Sequence, residues 1–140
     1  MRQILLFAAL ATSLALLSGC ALSKTKKDTA KESSSKAAYH KISDEEAYEM
    51  MASQEVVVVD VRTREEYDGG HIENAVLVPN ESFGSEMPEA LPDKEATLLV
   101  YCRSGRRSKD AAEKLLALGY QSVYDFGGVI DWPYELVKER

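Results

Sequence analysis

Two cysteines and two histidines are all that the 140 residues offer as soft metal ligands. His40 and His71 lie far from each other and from Cys102 in sequence, so they suggest no ligand set. No metal or organic cofactor is needed by the residues present. Basic charge is also scarce, with 17 Lys/Arg against 23 Asp/Glu and a net charge of −6. That balance argues against a nucleic-acid partner, whose binding needs a basic footprint. The uncharged apolar run over residues 4–17 has 14 residues. A membrane-spanning helix needs about 20. No internal repeat is visible.

What that run does fit is the core of an export signal. Met1-Arg2 gives it a short basic start, and Leu17-Ser18-Gly19-Cys20 follows it. Those four residues resemble a bacterial lipobox, in which the cysteine is lipidated and becomes the new N-terminus. Residues 1–19 are thus expected to be a lipoprotein signal peptide with Cys20 as the lipidation site. An ordinary secretory signal with a chance cysteine is the alternative. Residues 20–38 then form a lipidated cysteine and a tether, rich in Ser, Lys, Thr and Ala, with no branched apolar or aromatic residue after Leu22. A flexible coil of that length spans roughly 25 Å. Lys24, Lys26, Lys27, Lys31 and Lys36 make it basic, suited either to anionic lipid headgroups or to plain solvent. The expected location is the extracytoplasmic face of a bacterial membrane, at the cell surface or in the periplasm. Residues 39–140 form the folded domain.

Within that domain the pattern alternates helices and strands. Ser43-Asp44-Glu45-Glu46 is a capping box and starts a helix over 44–52. The β-branched run at 56–59 predicts a strand buried on both faces. A short helix at 63–67 ends at Gly69-Gly70, and a strand follows at 75–78 before Pro79. Residues 83–93 read as a loop with room for one helical turn. Residues 97–101 are a strand, 109–118 an amphipathic helix capped by Gly119, and 121–124 a further strand. Residues 39–41 could add an edge strand. Gly127-Gly128 is expected to open a last helical segment that includes Trp132 and runs toward Val137. Doubly apolar strands alternating with helices give an α/β fold, a parallel sheet covered on both faces. Ligands of such sheets sit outside the carboxyl ends of the strands, where Asp60 and Cys102 both fall.

Charge inside the domain is uneven. Residues 39–140 carry 11 Lys/Arg against 21 Asp/Glu, a net of −10. Yet Arg103, Arg106, Arg107 and Lys109 crowd around Cys102. A cationic pocket in an acidic domain suits a small anionic substrate. The run Cys102-Arg103-Ser104-Gly105-Arg106-Arg107-Ser108 lies between a strand and a helix, so backbone N–H groups and a helix dipole point at one sulfur. Such surroundings favour the nucleophilic thiolate. An inert buried cysteine is the alternative, and a packed core would not tolerate three arginines so close to it. With Cys20 lipidated, Cys102 has no disulfide partner, and a lone exported thiol is more readily chemical than structural. A partner that keeps it reduced would follow.

These residues resemble the rhodanese-like sulfurtransferases, in particular the small single-domain exported ones, over nearly all of residues 39–140. Asp60-Val61-Arg62 with Glu65-Glu66-Tyr67 is similar to the family's first motif, and Gly70-His71-Ile72 with Ala75 to its second. The Cys102 loop has the form C-x-x-G-x-R-S. Ala111-Ala112, Gly119-Tyr120, Val123 and Gly127-Gly128 are similar to its closing pattern. Asn74 stands where the family usually has glycine, and the closing aromatic segment is abbreviated. The resemblance implies a three-layer α/β sandwich with about five parallel strands. It implies that Cys102 takes a sulfane sulfur from a donor such as thiosulfate, forms a persulfide, and passes the sulfur to cyanide, sulfite, a thiol or a protein thiol. Arg103, Ser104, Gly105, Arg106, Arg107 and Ser108 would cradle the substrate. Arg107 could instead bond Glu65 or Glu66. Asp60 and Arg62 would support the loop, as a buried ion pair or by reaching the substrate. His71 reads as a turn residue bonded to backbone.

Two other classes compete. Cysteine phosphatases and arsenate reductases resemble C-x5-R, whereas here Ser108 occupies the sixth position after Cys102 and Arg107 the fifth. The shorter loop suits one sulfur atom rather than a tetrahedral oxyanion. A non-catalytic sulfur-carrier or binding module is the other, and such domains often lack the cysteine that this chain keeps.

Overall fold

A computed structural model describes residues 37–138 of the protein. The expected signal peptide, the lipidation of Cys20 and nearly all of the tether lie outside the described residues. The described residues open with β1 (Ala38–Lys41) and α1 (Asp44–Ser53), followed by β2 (Val57–Asp60) and α2 (Arg64–Asp68). After β3 (Val76–Leu77) and a 3-10 turn at Asn80–Ser82 come β4 (Thr97–Cys102), α3 (Arg106–Ala117) and β5 (Ser122–Gly128). The five strands form one parallel sheet in the order β1-β5-β4-β2-β3. The expected α/β architecture is the one observed.

Alternation along the strands divides the core into two layers. On the α3 side, Val59, Leu98, Val100, Cys102 and Val123 pack on Ala111, Ala112 and Leu115. On the opposite side, Val58, Leu99, Tyr101 and Phe126 pack with Ala47 of α1 and Tyr67 of α2. Both short helices begin with capping boxes. Ser43 and Glu46 close one, Thr63 and Glu66 the other. Gly119, at φ +96°, ends α3 with paired Tyr120 N–H to Leu115 O and Gly119 N–H to Leu116 O bonds, the signature of a Schellman motif.

Three expectations need correction. The long helix starts at Arg106, not Lys109. Arg106, Arg107 and Ser108 carry no apolar periodicity, because the first turn of α3 covers the thiol rather than the core. The last helical segment does not form. Instead β5 runs on through Gly128, and residues 129–138 make turns plus one antiparallel bridge, His71 with Val137. Pro133 lies in the middle of the expected helix and would remove a hydrogen bond and clash with the preceding turn. Residues 83–93 hold no helical turn; the 3-10 turn comes earlier, at Asn80–Ser82.

Candidate active site

Cys102 is the last residue of β4, and its side chain faces the α3 layer, only 1% exposed. The chain then turns through Arg103 and Ser104 to Gly105, which sits at φ +92° as the N-terminal cap of α3. Glycine adopts that left-handed conformation without strain. The turn brings the Gly105 N–H to 3.1 Å from the Cys102 sulfur. Burial pushes the thiol pKa up, but the Ser108, Ser104 and Gly105 N–H groups and the Ser108 hydroxyl outweigh it, and the net shift is downward. The cluster therefore favours thiolate over thiol at a buried sulfur.

The loop is braced from three directions. Arg107 reaches α2 and makes a two-pronged pair with Glu66, at 2.7 and 2.8 Å. Arg107 drives the Glu66 carboxyl down to about 2 by hydrogen bonding. Of the two roles open to Arg107 from sequence, the structure shows the ion pair. Ser108 is fully buried, its hydroxyl 3.0 Å from Gly105 O and 3.2 Å from Gly127 O. Its single hydrogen serves one acceptor at a time. Beyond the loop, Val129 N–H donates to Cys102 O and Ile130 N–H to Arg103 O. Arg103, Ser104 and Arg106 are exposed, so Arg103 and Arg106 are the loop cations open to an arriving anion.

Asp60 does not join the thiol. It pairs in register with Tyr101, so its carboxylate shares the face of Tyr101 while Cys102 points to the other. It accepts hydrogen bonds from Tyr101 OH at 2.6 Å and from Arg62 Nε and Nη2, the latter at 2.5 Å. Arg62 also donates to Gly70 O at 2.8 Å. The strand-end reading thus located the correct end of the sheet, and of the two roles open to Asp60 and Arg62 from sequence the structure shows the buried ion pair. His71 behaves as expected, with Nδ1 2.9 Å from Tyr67 O and its ring stacked on Tyr67.

Asp125, Gly127 and Gly128 were missed as parts of the site. Asp125 is buried and accepts from Tyr39 OH at 2.7 Å and Gly127 N–H at 2.9 Å, with Lys41 Nζ 3.4 Å away. It fixes Gly127 at φ +98°. The β4–β5 register shifts between Val100 and Tyr101, which brings Gly128 opposite Cys102. The glycine pair after a short apolar strand was the available signal, and it was read as a helix start.

The geometry agrees with comparison to known proteins. A model of the rhodanese-like domain matches residues 43–133. The chain belongs to the rhodanese-like domain family. A tRNA uridine(34) hydroxylase of Yersinia pestis (strain Pestoides F) is 33% identical over 98 residues, covering 66% of this chain and 28% of that protein. The chain thus matches little more than a quarter of that relative's length. A crystal structure of a rhodanese-related protein from Thermoplasma volcanium aligns with TM-score 0.63 and 29% identity, over 72% of this chain and all of that one. A human single-domain sulfurtransferase aligns with TM-score 0.58 and 27% identity, over 66% and 92% of the two chains.

The rhodanese-like domain departs from its family's glycine at Asn74, and the structure gives the reason this is tolerated. Asn74 has φ +61°, the left-handed region that asparagine enters more readily than other side chains. Among the described residues, no group of three or more His, Cys, Asp or Glu side chains could hold a metal ion. A cleft of about 430 Å³ lies at the opposite end of the sheet around Val57, Leu91 and Leu98. A cleft of about 340 Å³ flanks the Cys102 loop, lined in part by Arg62, Arg103 and Ile130.

Proposed function

We propose that this rhodanese-like domain is a sulfurtransferase with Cys102 as its sulfur carrier. The observation that carries the reading is the Cys102 sulfur itself, held in a ring of loop N–H groups at the start of α3. The thiolate attacks the outer sulfur of a donor such as thiosulfate. A new S–S bond forms at Cys102, the donor's S–S bond breaks, and sulfite leaves with the electron pair. Arg103 and Arg106 attract the dianion, and the loop N–H groups stabilise the charge carried by the persulfide. An acceptor then attacks the outer sulfur and returns the electron pair to Cys102.

Phosphate-ester and arsenate chemistry fits less well, because the one loop arginine near the position used for an oxyanion is engaged by Glu66. The domain's net charge of −10 over residues 39–140 also speaks against tRNA as a partner for this chain alone. The lipobox-like Leu17 to Cys20 segment supports placement as an exported lipoprotein.

The test is thiocyanate production from thiosulfate and cyanide by the full chain beside Cys102→Ser. Turnover by the parent alone supports the reading. Sulfur uptake without turnover points to a carrier module. No uptake from thiosulfate or from a polysulfide overturns it.

A further inference from the structure

Asp125 is a buried acid on the sulfur's side of the sheet. It pairs in register with Val100, which packs in the α3 layer together with Cys102, so the Asp125 side chain shares that face. Asp60, the other buried acid of the strands, lies on the face of Tyr101 in the opposite layer. The two oxygens of Asp125 have separate partners. Oδ2 accepts from the Tyr39 hydroxyl at 2.7 Å. Oδ1 accepts from Gly127 N–H at 2.9 Å and has Lys41 Nζ 3.4 Å away. Tyr39 and Lys41 both belong to β1, the edge strand beside β5. Burial and the Asp125 hydrogen bond push the Tyr39 hydroxyl above the ordinary tyrosine range, so it keeps its proton and donates. Exposed Glu113 of α3 is the other charge that acts on Tyr39.

The carboxylate sits at a fault in the sheet. Val100 pairs with Asp125 but Tyr101 with Gly127, which makes Phe126 the extra residue of a bulge. Gly127 takes φ +98° there, and its N–H turns back to Asp125. Gly127 then meets the nucleophile loop twice. Its carbonyl accepts from the buried Ser108 hydroxyl at 3.2 Å. A Cβ added to Gly105 would stand 3.5 Å from the Gly127 Cα, so the two glycines pack backbone against backbone. Gly105 carries the N–H that lies 3.1 Å from the Cys102 sulfur, and Ser108 helps to lower the thiol pKa.

The geometry points to Asp125, oriented by Tyr39 and Lys41 of β1, as a positioning residue for sulfur transfer: it fixes Gly127, and Gly127 sets where Gly105 and Ser108 stand around Cys102. The inference deepens the sulfur-transfer reading above and rests on it. Asp125 acts through those two loop residues rather than on the sulfur itself. Donors held in place beforehand need no rearrangement when charge moves between the donor molecule, the persulfide and Cys102.

The experiment uses the full chain and reads two quantities, the pH dependence of Cys102 alkylation by iodoacetamide and the rate of sulfur uptake from thiosulfate. Asp125→Ala is expected to move the alkylation midpoint to higher pH and to slow sulfur uptake about tenfold. Asp125→Asn keeps an oxygen for the Gly127 N–H and restores most of both. Val58→Ala, a truncation in the opposite layer, lowers stability and leaves the midpoint in place. Tyr39→Phe loses one hydroxyl from a residue 36% exposed and moves the midpoint the same way by less. That variant decides should Asp125→Ala fail to fold. Alkylation needs no sulfur transfer. A shifted midpoint in a chain whose parent takes up no sulfur upholds the positioning role while the transfer reading fails, and an unshifted midpoint beside normal uptake does the reverse. Asp125→Ala or Tyr39→Phe profiles that superpose on the parent's, an Asp125→Asn profile displaced as far as that of Asp125→Ala, or an equal displacement by Val58→Ala would overturn the inference.

Discussion

Gly128 lies so close beneath Ser104 that a Cβ on residue 128 would stand 2.5 Å from the Ser104 Cα. The neighbouring atoms are backbone of the Cys102 loop and cannot swing aside as a flexible side chain could. The last strand and the nucleophile loop are therefore built against each other, and the glycine is the condition for that contact.

Gly128→Ala is expected to displace the loop and cost about 2 kcal/mol or more of stability through overpacking. Because a displacement near 1 Å weakens a preorganised site strongly, sulfur uptake should fall by roughly 100-fold. Urea denaturation and the rate of persulfide formation check the two effects separately.

The thiol of Cys102 should titrate below the ordinary thiol range, since the loop donors outweigh its burial. Its alkylation rate should thus rise with pH and level off earlier than that of a free thiol. Ser108→Ala removes the hydroxyl that bonds Gly105 O and Gly127 O and helps lower the thiol pKa, and should move the profile to higher pH. Alkylation by iodoacetamide across the pH range reads the shift directly.

Glu66 titrates near 2 in the folded chain against an ordinary 4.5, because Arg107 holds its charged form. A depressed folded-state pKa contributes stability above 4.5 and loses it as pH falls toward 2. The pair is partly solvated, so Glu66→Gln is expected to cost about 1–2 kcal/mol at neutral pH. The variant's stability should also fall less than the parent's between those two pH values. Urea midpoints at neutral and acid pH test this.

Asp60→Asn leaves Arg62 buried with much of its compensation gone, at a cost of about 3 kcal/mol. Asp60 and Cys102 point to opposite faces of the sheet, so the pH profile of thiol alkylation should stay where it is in the parent. A shifted profile would mean that Asp60 acts on the sulfur after all.

Much of the architecture was legible because apolar pattern and capping chemistry act locally. Val57 to Val59 could be little other than a buried strand, and Ser43-Asp44-Glu45-Glu46 announced α1. The Cys102 loop was legible for the same reason, as strand, glycine and helix follow within a few residues. What escaped the sequence were relations between distant segments. Arg107 finds Glu66, 41 positions away, and Asp125 accepts from the Tyr39 hydroxyl, 86 positions away. The face on which Asp60 points depends on strand register, which the sequence alone left open. Gly127-Gly128 was read as a helix start because its real demand, close approach to the loop, comes from a segment two dozen residues earlier.

The most direct test of the central claim is the intact mass of the full chain after brief exposure to thiosulfate, beside Cys102→Ser. A gain of one sulfur atom on the parent, located at Cys102 and reversed by cyanide, is the expected result. An unchanged parent mass with thiosulfate and with polysulfide, or an equal gain on Cys102→Ser, would contradict Cys102 as the sulfur carrier.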